Sequence, residues 1–392
     1  CIPKEYGGLG FSCAAHSAVL EKITTRSVVV CTYVMVPNSL GPAELLVHYG
    51  TTAQKDKYLN RLATGQDIPC FGLTEPQAGS DAGAIESEGI LFKDEKGELK
   101  IKLNWNKRWI TLAGIATLIG LAFKLKDPNN LLGTGKIDIG ITCGLVAANL
   151  KGIDLSRRHD PLGLPFHNCP MTGKDVIVNA ETCIIGGLKG AGQGWKMLIE
   201  SLGAGRGISL PSQASSASKM AARVTSNHSI IRNQFGTSIK NFEGIQEALA
   251  RITARTYYID SLRQFVLDAL NQNKKPAVVT AIAKYHATES GRDNMIDAMS
   301  ILGGAGISLG PRNLLGIGYM GFPICITVEG ANILTRTLMI FGQGALRSHP
   351  FAFKEINAIK NNKVKDFDNA IFGHFYHFVS NCCRLIILNL SR

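Results

Sequence analysis

The acid best placed for proton chemistry in this 392-residue chain is Glu329, inside the run Gly321-Phe322-Pro323-Ile324-Cys325-Ile326-Thr327-Val328-Glu329-Gly330-Ala331-Asn332-Ile333-Leu334-Thr335-Arg336. Pro323 disfavours an incoming helix, and Ile324 to Val328 is apolar or β-branched, so the pattern predicts an extended, buried approach. A helical pattern starts near Asn332, with Ile333, Leu334, Met339 and Ile340 on its apolar side. Glu329 is thus expected where a buried strand meets a helix N-terminus, with Gly330 allowing a ligand to approach closely. A carboxylate in apolar surroundings titrates high and can act as a general base. A Glu in this place can equally well cap the helix.

Other residues offer different chemistry. Pro69 to Asp81 passes from a short apolar strand into a loop of small and hydroxyl residues, containing Leu73, Thr74, Gly79 and Ser80. Backbone N–H groups and hydroxyls in such a loop can reach phosphate or ring-edge acceptors. Trp109 could be core, or could cover one face of a flat ring with the Thr111 hydroxyl beside it. Arg206 stands among small residues at 203–208, an expected close-packed turn, where it can pair with an anion or a buried acid. His374 and His377 lie three apart on a helical pattern, and a metal would need a third ligand that is not nearby in sequence.

These residues need elements to hold them. Phe11 to about Ala63 reads as helices, with Gly50 closing one and Thr51 capping the next. From Leu91 to about Ile185 the pattern is β, through runs at 98–103, 109–112, 137–142 and 175–178. After Gly186-Gly187 the chain turns helical again. Gly190-Ala191-Gly192-Gln193-Gly194 lacks the spacing of a dinucleotide-binding fingerprint, so a Rossmann reading is rejected. A second glycine turn, Ile301 to Gly306, follows a helix carrying Met295 and Met299, and His349-Pro350 breaks the chain before a further helical stretch. The expected divisions are 1–68, helical; 69–185, β; 186–347, helical; and 348–392, the start of a helical extension.

The net charge of +12, from 42 basic and 30 acidic residues, favours anionic partners such as phosphorylated cofactors or an acidic membrane surface. Ordinary solubility explains it as well. Basic residues do not interleave with aromatics in any one stretch, which argues against nucleic acid. The ten cysteines form no C-x-x-C pair, and reduced thiols in a cytoplasmic compartment are expected. The longest unbroken apolar run, Leu112 to Phe123, is shorter than the ~20 residues of a membrane span. Residue 1 is Cys and the chain opens as if within a loop, so a fragment is expected, with any inner-membrane association lying in segments outside it.

Leu73-Thr74-Glu75-Pro76-x-Ala78-Gly79-Ser80-Asp81, followed by Lys107-Arg108-Trp109-Ile110-Thr111, resembles the acyl-CoA dehydrogenase family, and the likeness covers most of the chain in the family's order. It is nearest to the large bacterial enzyme type of fatty-acid β-oxidation. The resemblance implies an α+β fold: a helical N-terminal domain, a central β-barrel-like domain and a C-terminal four-helix bundle. It implies FAD bound by Leu73, Thr74, Gly79, Ser80, Trp109 and Thr111, with Arg232, Phe235, Gly303 and Gly304 reaching the FAD of a neighbouring subunit. Ser80, Arg206 and Gly330 would touch the acyl-CoA, and Glu329 would be the base. A homo-oligomer that delivers electrons to an electron-transfer flavoprotein follows from the same likeness. Ala331 and Thr335 stand where common members have Thr and Gln, and Ser300 where many have Gln, so some flavin contacts must be missing or replaced. The competing readings are an acyl-CoA oxidase using oxygen and a non-catalytic relative that binds nucleic acid through its charge.

Overall fold

The computed structural model describes residues 2–274 and 276–391, with the backbone alone at positions 40 and 202–204. Cys1, on which the chain opens, lies outside them. Helices α1 (Cys13–Thr24), α2 (Val28–Leu40), α3 (Pro42–Tyr49) and α4 (Thr52–Ala63) fill the N-terminal stretch as expected. Their punctuation follows the sequence. The Gly50 N–H closes α3 on the Leu46 carbonyl, and Thr51 and Gln54 cap α4 reciprocally. The Gln54 amide also donates to the carbonyls of Thr182 and Ile184, tying α4 to the end of the sheet.

The sheet comprises β1 (Pro69–Gly72), β2 (Glu88–Lys93), β3 (Leu99–Thr111), β4 (Leu118–Lys126), β5 (Asp138–Ala147), β6 (Ile153–Asp154) and β7 (Asn168–Asn179). Its order is β1-β4-β2-β3-β7-β6, with β5 paired to β4. The predicted runs at 98–103 and 109–112 merge into the single strand β3. Along it Ile101, Leu103, Trp105 and Lys107 alternate inward with more exposed neighbours, as period two requires. The register against β7 then slips: Lys107 pairs with Met171, but Ile110 pairs with Cys169. The extra residue makes a bulge, and Trp109 sits in it with φ +64°.

A short helix α5 (Ala180–Cys183) leads to α6 (Gly194–Ile231). The turn expected at 203–208 does not form; α6 runs straight through it. The small residues serve close packing instead. A Cβ at Gly205 would lie 2.7 Å from the Ser39 carbonyl of α2, and one at Gly207 would lie 2.6 Å from Thr280. Most serines of α6 are buried, and Ser212 and Ser229 return their hydroxyls to carbonyls one turn back. A two-stranded ribbon, β8 (Asn233–Gln234) and β9 (Thr237–Ser238), leads into α7 (Glu243–Asn271) and α8 (Ala277–Leu302). Gly207 faces Thr280 and Ala214 faces Gly291, so α6 and α8 run in the same direction. Leu210, Ile252, Ile259, Ala287, Met295 and Phe322 join α1 and α2 residues in the helical core.

After α9 (Gly304–Ile307) comes α10 (Gly316–Thr327), and here the structure corrects the sequence reading. Ile324 to Thr327 is not an extended approach but the end of a helix that contains Pro323. An apolar run does not by itself distinguish strand from buried helix. Its neighbours are the helices α2, α6 and α8, which offer no ladder, so the backbone must satisfy itself internally.

Contacts divide the chain after Ala331. In the second unit, α11 (Asn332–Leu334) continues into a π-helical stretch, Thr335–Gly342, then α12 (Gln343–Ser348), α13 (Ala352–Lys360) and α14 (Val364–Leu390). His374 and His377 of α14 both face the ring of His349, and His374 Nδ1 lies 2.7 Å from Glu355. Among the described residues no group of three or more His, Cys, Asp or Glu has the arrangement of a metal site. Helix α14 has the length and apolar content to cross a membrane. An unbroken-run criterion passed it over because His, Asn and Arg interrupt its apolar residues.

Candidate active site

Glu329 follows α10 in a turn where two successive residues are left-handed, Glu329 at φ +55° and Gly330 at φ +91°. Only a glycine adopts the second conformation without strain. The turn directs the carboxylate inward, and its Oε2 is sealed from solvent without a hydrogen-bond partner among the described residues. That oxygen therefore caps no helix among the described residues.

Three helices supply the surroundings of the carboxyl. Ser39 at the end of α2 hydrogen-bonds it, Arg206 comes from α6 and Lys284 from α8. Burial pushes the Glu329 carboxyl above the usual carboxylate range, against the pull of Arg206, Lys284 and the Ser39 hydroxyl. Burial also lowers the Arg206 guanidinium, with Glu329 opposing, and takes Lys284 down to about 8. Arg206, read from sequence as the partner of an anion or of a buried acid, is thus beside the acid. Ser39 also hydrogen-bonds Ser209 of α6, which fixes its hydroxyl next to the carboxyl.

A second group gathers at the β3 bulge. The Trp109 indole is 59% exposed, with the His159 ring 4.4 Å behind it. Asn168 is the link between these parts. Its amide donates to the Trp109 carbonyl and the Thr111 hydroxyl, and its Oδ1 meets His159 Nδ1 at 2.8 Å. Leu73 and Thr74 lie against the same bulge, because the Lys107 ammonium donates to the Leu73 carbonyl and the Arg108 N–H to that of Thr74. Glu75 anchors this loop through a buried ion pair with Lys107 at 2.7 Å. Burial pulls Lys107 down to about 8, while the carboxylate beside it favours the charged form. Gly79 and Ser80 are exposed on the same loop. Helix α2 joins the two groups, since Tyr33 bonds His167 next to Asn168 and Ser39, six residues on, bonds Glu329.

The remaining predicted residues lie elsewhere. Arg232 follows the end of α6, and Phe235 beyond it is 95% exposed at φ +52°. Arg232 is 26 residues past Arg206, about 39 Å along a helix rising ~1.5 Å per residue. Gly303 and Gly304, where α8 ends, stand at that same far end because α8 runs parallel to α6. Arg232, Gly303 and Gly304 therefore stand at the end of the helical core away from Arg206.

The sequence reading named Lys107 only within a motif, without a role, and missed Asn168, His159, Ser39 and Lys284. Only Lys284 left a usable signal, as a lone cation among the core positions Thr280, Ala281, Ala283, Ala287 and Thr288 of α8. The others act through tertiary contacts.

Comparison with known proteins gives four matching family models. They are the acyl-CoA dehydrogenase N-terminal domain at residues 1–66, its middle domain at 70–176, its C-terminal domain at 192–339, and a bacterial-type C-terminal domain at 346–392. A 3-(aryl)acrylate reductase of Clostridium sporogenes is 33% identical over 312 residues, 78% of this chain and 76% of that protein. The mitochondrial very long-chain specific acyl-CoA dehydrogenase of Mus musculus is 29% identical over 92% of this chain. The chain spans about half the length of that protein and of its Rattus norvegicus counterpart, 53% and 46%. Among solved structures, butyryl-CoA dehydrogenase from Megasphaera elsdenii superposes with a TM-score of 0.76 at 26% identity, over 88% of this chain and 86% of that one.

Proposed function

This chain belongs to the acyl-CoA dehydrogenase family, and from that premise we propose that it converts a fatty acyl-CoA to the trans-2-enoyl-CoA. FAD is the cofactor in this reading, an electron-transfer flavoprotein accepts the electrons, and the pathway is fatty-acid β-oxidation. The observation that carries it is the Glu329 carboxyl, held beside two cations with one oxygen, Oε2, sealed from solvent and without a hydrogen-bond partner among the described residues.

The residues suit FAD. The exposed Trp109 face, backed by His159, matches a flat ring system, and the hydroxyls of Thr74, Ser80 and Thr111 are of the type that bonds its polar edge. Bound FAD supplies the acceptor for the hydride leaving Cβ. The chain's own residues do the rest. Glu329 takes the α-proton, and its backbone N–H is the donor expected to polarise the thioester carbonyl, which makes that proton removable. Arg206 and Lys284 favour the ionised base, while burial keeps it basic enough to act. The folded pKa is raised, so the base form appears as pH climbs through it. The acid limb of the rate profile then lies above the ordinary carboxylate range. In this reading Arg232, Phe235, Gly303 and Gly304 serve the FAD of a second copy, their place at the far end of α6 and α8 from Arg206 supports that role, and the working form is a homo-oligomer.

The test is an anaerobic titration with acyl-CoAs of increasing chain length, following flavin bleaching, on the parent and on Glu329→Gln. The variant keeps shape without the base, so flavin and ligand binding should persist while bleaching slows by at least ~10²-fold. Near-normal bleaching in the variant would place the base elsewhere.

A further inference from the structure

Lys284 is fully buried, at the eighth position of α8, on a helix whose flanking residues Ala281, Ala283 and Ala287 are wholly within the core. Its ammonium donates to two carbonyls of the segment carrying the acid: Gly330 at 2.8 Å and Ile326 at 3.4 Å. Ile326 belongs to the last turn of α10, where carbonyls lose their intrahelical donors. Gly330 is the residue directly after Glu329. The two bonds therefore bracket the turn, one three residues before the acid and one immediately after it.

The bracket has a physical purpose. Glu329 holds a left-handed conformation that a residue with a Cβ resists, and relaxation of that φ would swing the carboxyl away from its sealed position. A tie from a core helix prevents this, because α8 cannot follow the turn. A buried ammonium is an expensive cap for a helix end, and an apolar residue of similar volume would suit the core better. The cation also acts on the acid's ionisation. The groups around the pair are Arg206 of α6, Ser39 of α2, Cys325 of α10 and Glu289 of α8 itself.

We propose that Lys284 is a positioning residue for the base: by holding the carbonyls of Ile326 and Gly330 it fixes the turn that presents Glu329. The inference rests on the reading of Glu329 as the base in acyl-CoA dehydrogenation.

The test uses flavin-loaded Lys284→Met beside the parent and Glu329→Gln. Three readouts apply: the pH profile of flavin reduction by acyl-CoA, the Kd for a saturated acyl-CoA thioether that cannot react, and hydrogen exchange of the Val328 to Ala331 amides without ligand. Lys284→Met should slow flavin reduction by ~10- to 100-fold. Its acid limb should move to higher pH, because loss of a cation raises a carboxyl pKa, and the turn amides should exchange faster. The thioether Kd should stay within about threefold, since uniform binding is not what is removed. Reduction within threefold of the parent, an unmoved limb and unchanged exchange would overturn the assignment. If Lys284→Met does not accumulate with flavin, Lys284→Gln, a neutral donor, takes its place under the same criteria. Failure of both to load would also overturn it, by making Lys284 a folding residue. Normal reduction in Glu329→Gln sinks the base reading; an inactive Glu329→Gln beside a normal Lys284→Met sinks only the role of Lys284.

Discussion

Replacing Glu75 with Gln asks how the loop at 73–81 is held on the sheet. The Lys107 side chain is 0% exposed, with its ammonium 2.7 Å from Glu75 Oε1 and 3.0 Å from the Leu73 carbonyl. Glu75 also accepts from the N–H groups of Glu86 and Ser87 and from the Ser87 hydroxyl. At 2.7 Å the gross attraction is about 6 kcal/mol for an effective dielectric near 20. Most of it offsets desolvation, so the pair is worth far less than that against an apolar replacement. Removing one partner is different, because Lys107 is then left charged and dry, at a cost of about 3–5 kcal/mol. The pH dependence has a definite sign. Burial raises the Glu75 carboxyl, but Lys107, Ser87 and the Glu86 N–H outweigh it and hold it below its ordinary value. Its contribution is present above the unfolded-state pKa and disappears as pH falls through the folded one. Lys107 is depressed to about 8, so between there and 10.5 the unfolded chain binds more protons and stability rises with pH. Without Glu75 the Lys107 pKa falls further, that window opens at lower pH, and the defect shrinks on going from pH 7 to pH 9. Urea unfolding followed by tryptophan fluorescence at both pH values measures this. Combining Glu75→Gln with Lys107→Met should recover most of the loss. A single variant within about 1 kcal/mol of the parent at both pH values would refute the argument that the pair is dry and mutually dependent.

Arg232→Ala should lower the flavin-to-protein ratio and loosen the oligomer, read together by absorbance and sedimentation velocity. An unchanged flavin content would make Arg232 a surface cation. Gly303 stands at φ +56°, ψ −131°, and among the described residues no atom beyond its chain neighbours lies within 4 Å of where a Cβ would be, so Gly303→Ala meets backbone strain rather than a clash. The expected loss is about 1–3 kcal/mol in the urea transition, and an unaltered midpoint would show that the turn relaxes freely.

The sequence alone determined the order helices, sheet, helices, because period-two alternation and capping residues such as Gly50, Thr51 and Gln54 act over a few residues and need no partner. It drew attention to Glu329 beside Gly330 in an apolar run, but left a base and a helix cap equally open. It failed where a local pattern has two solutions. The run after Pro323 suits a strand or a buried helix, and only the neighbouring helices, which offer no ladder, decide for α10. The small residues around Arg206 suit a turn or a tight helix crossing, and the carbonyl of Ser39 and the side chain of Thr280 decide for the crossing. The supports of the site were beyond reach for a further reason. Ser39, Lys107, Asn168 and Lys284 each bond a residue 32 or more positions away, and Asn168 reaches Trp109 across a strand register that includes a bulge. No spacing encodes such partners; they meet only when the sheet has slipped its register and α2, α6, α8 and α10 have packed.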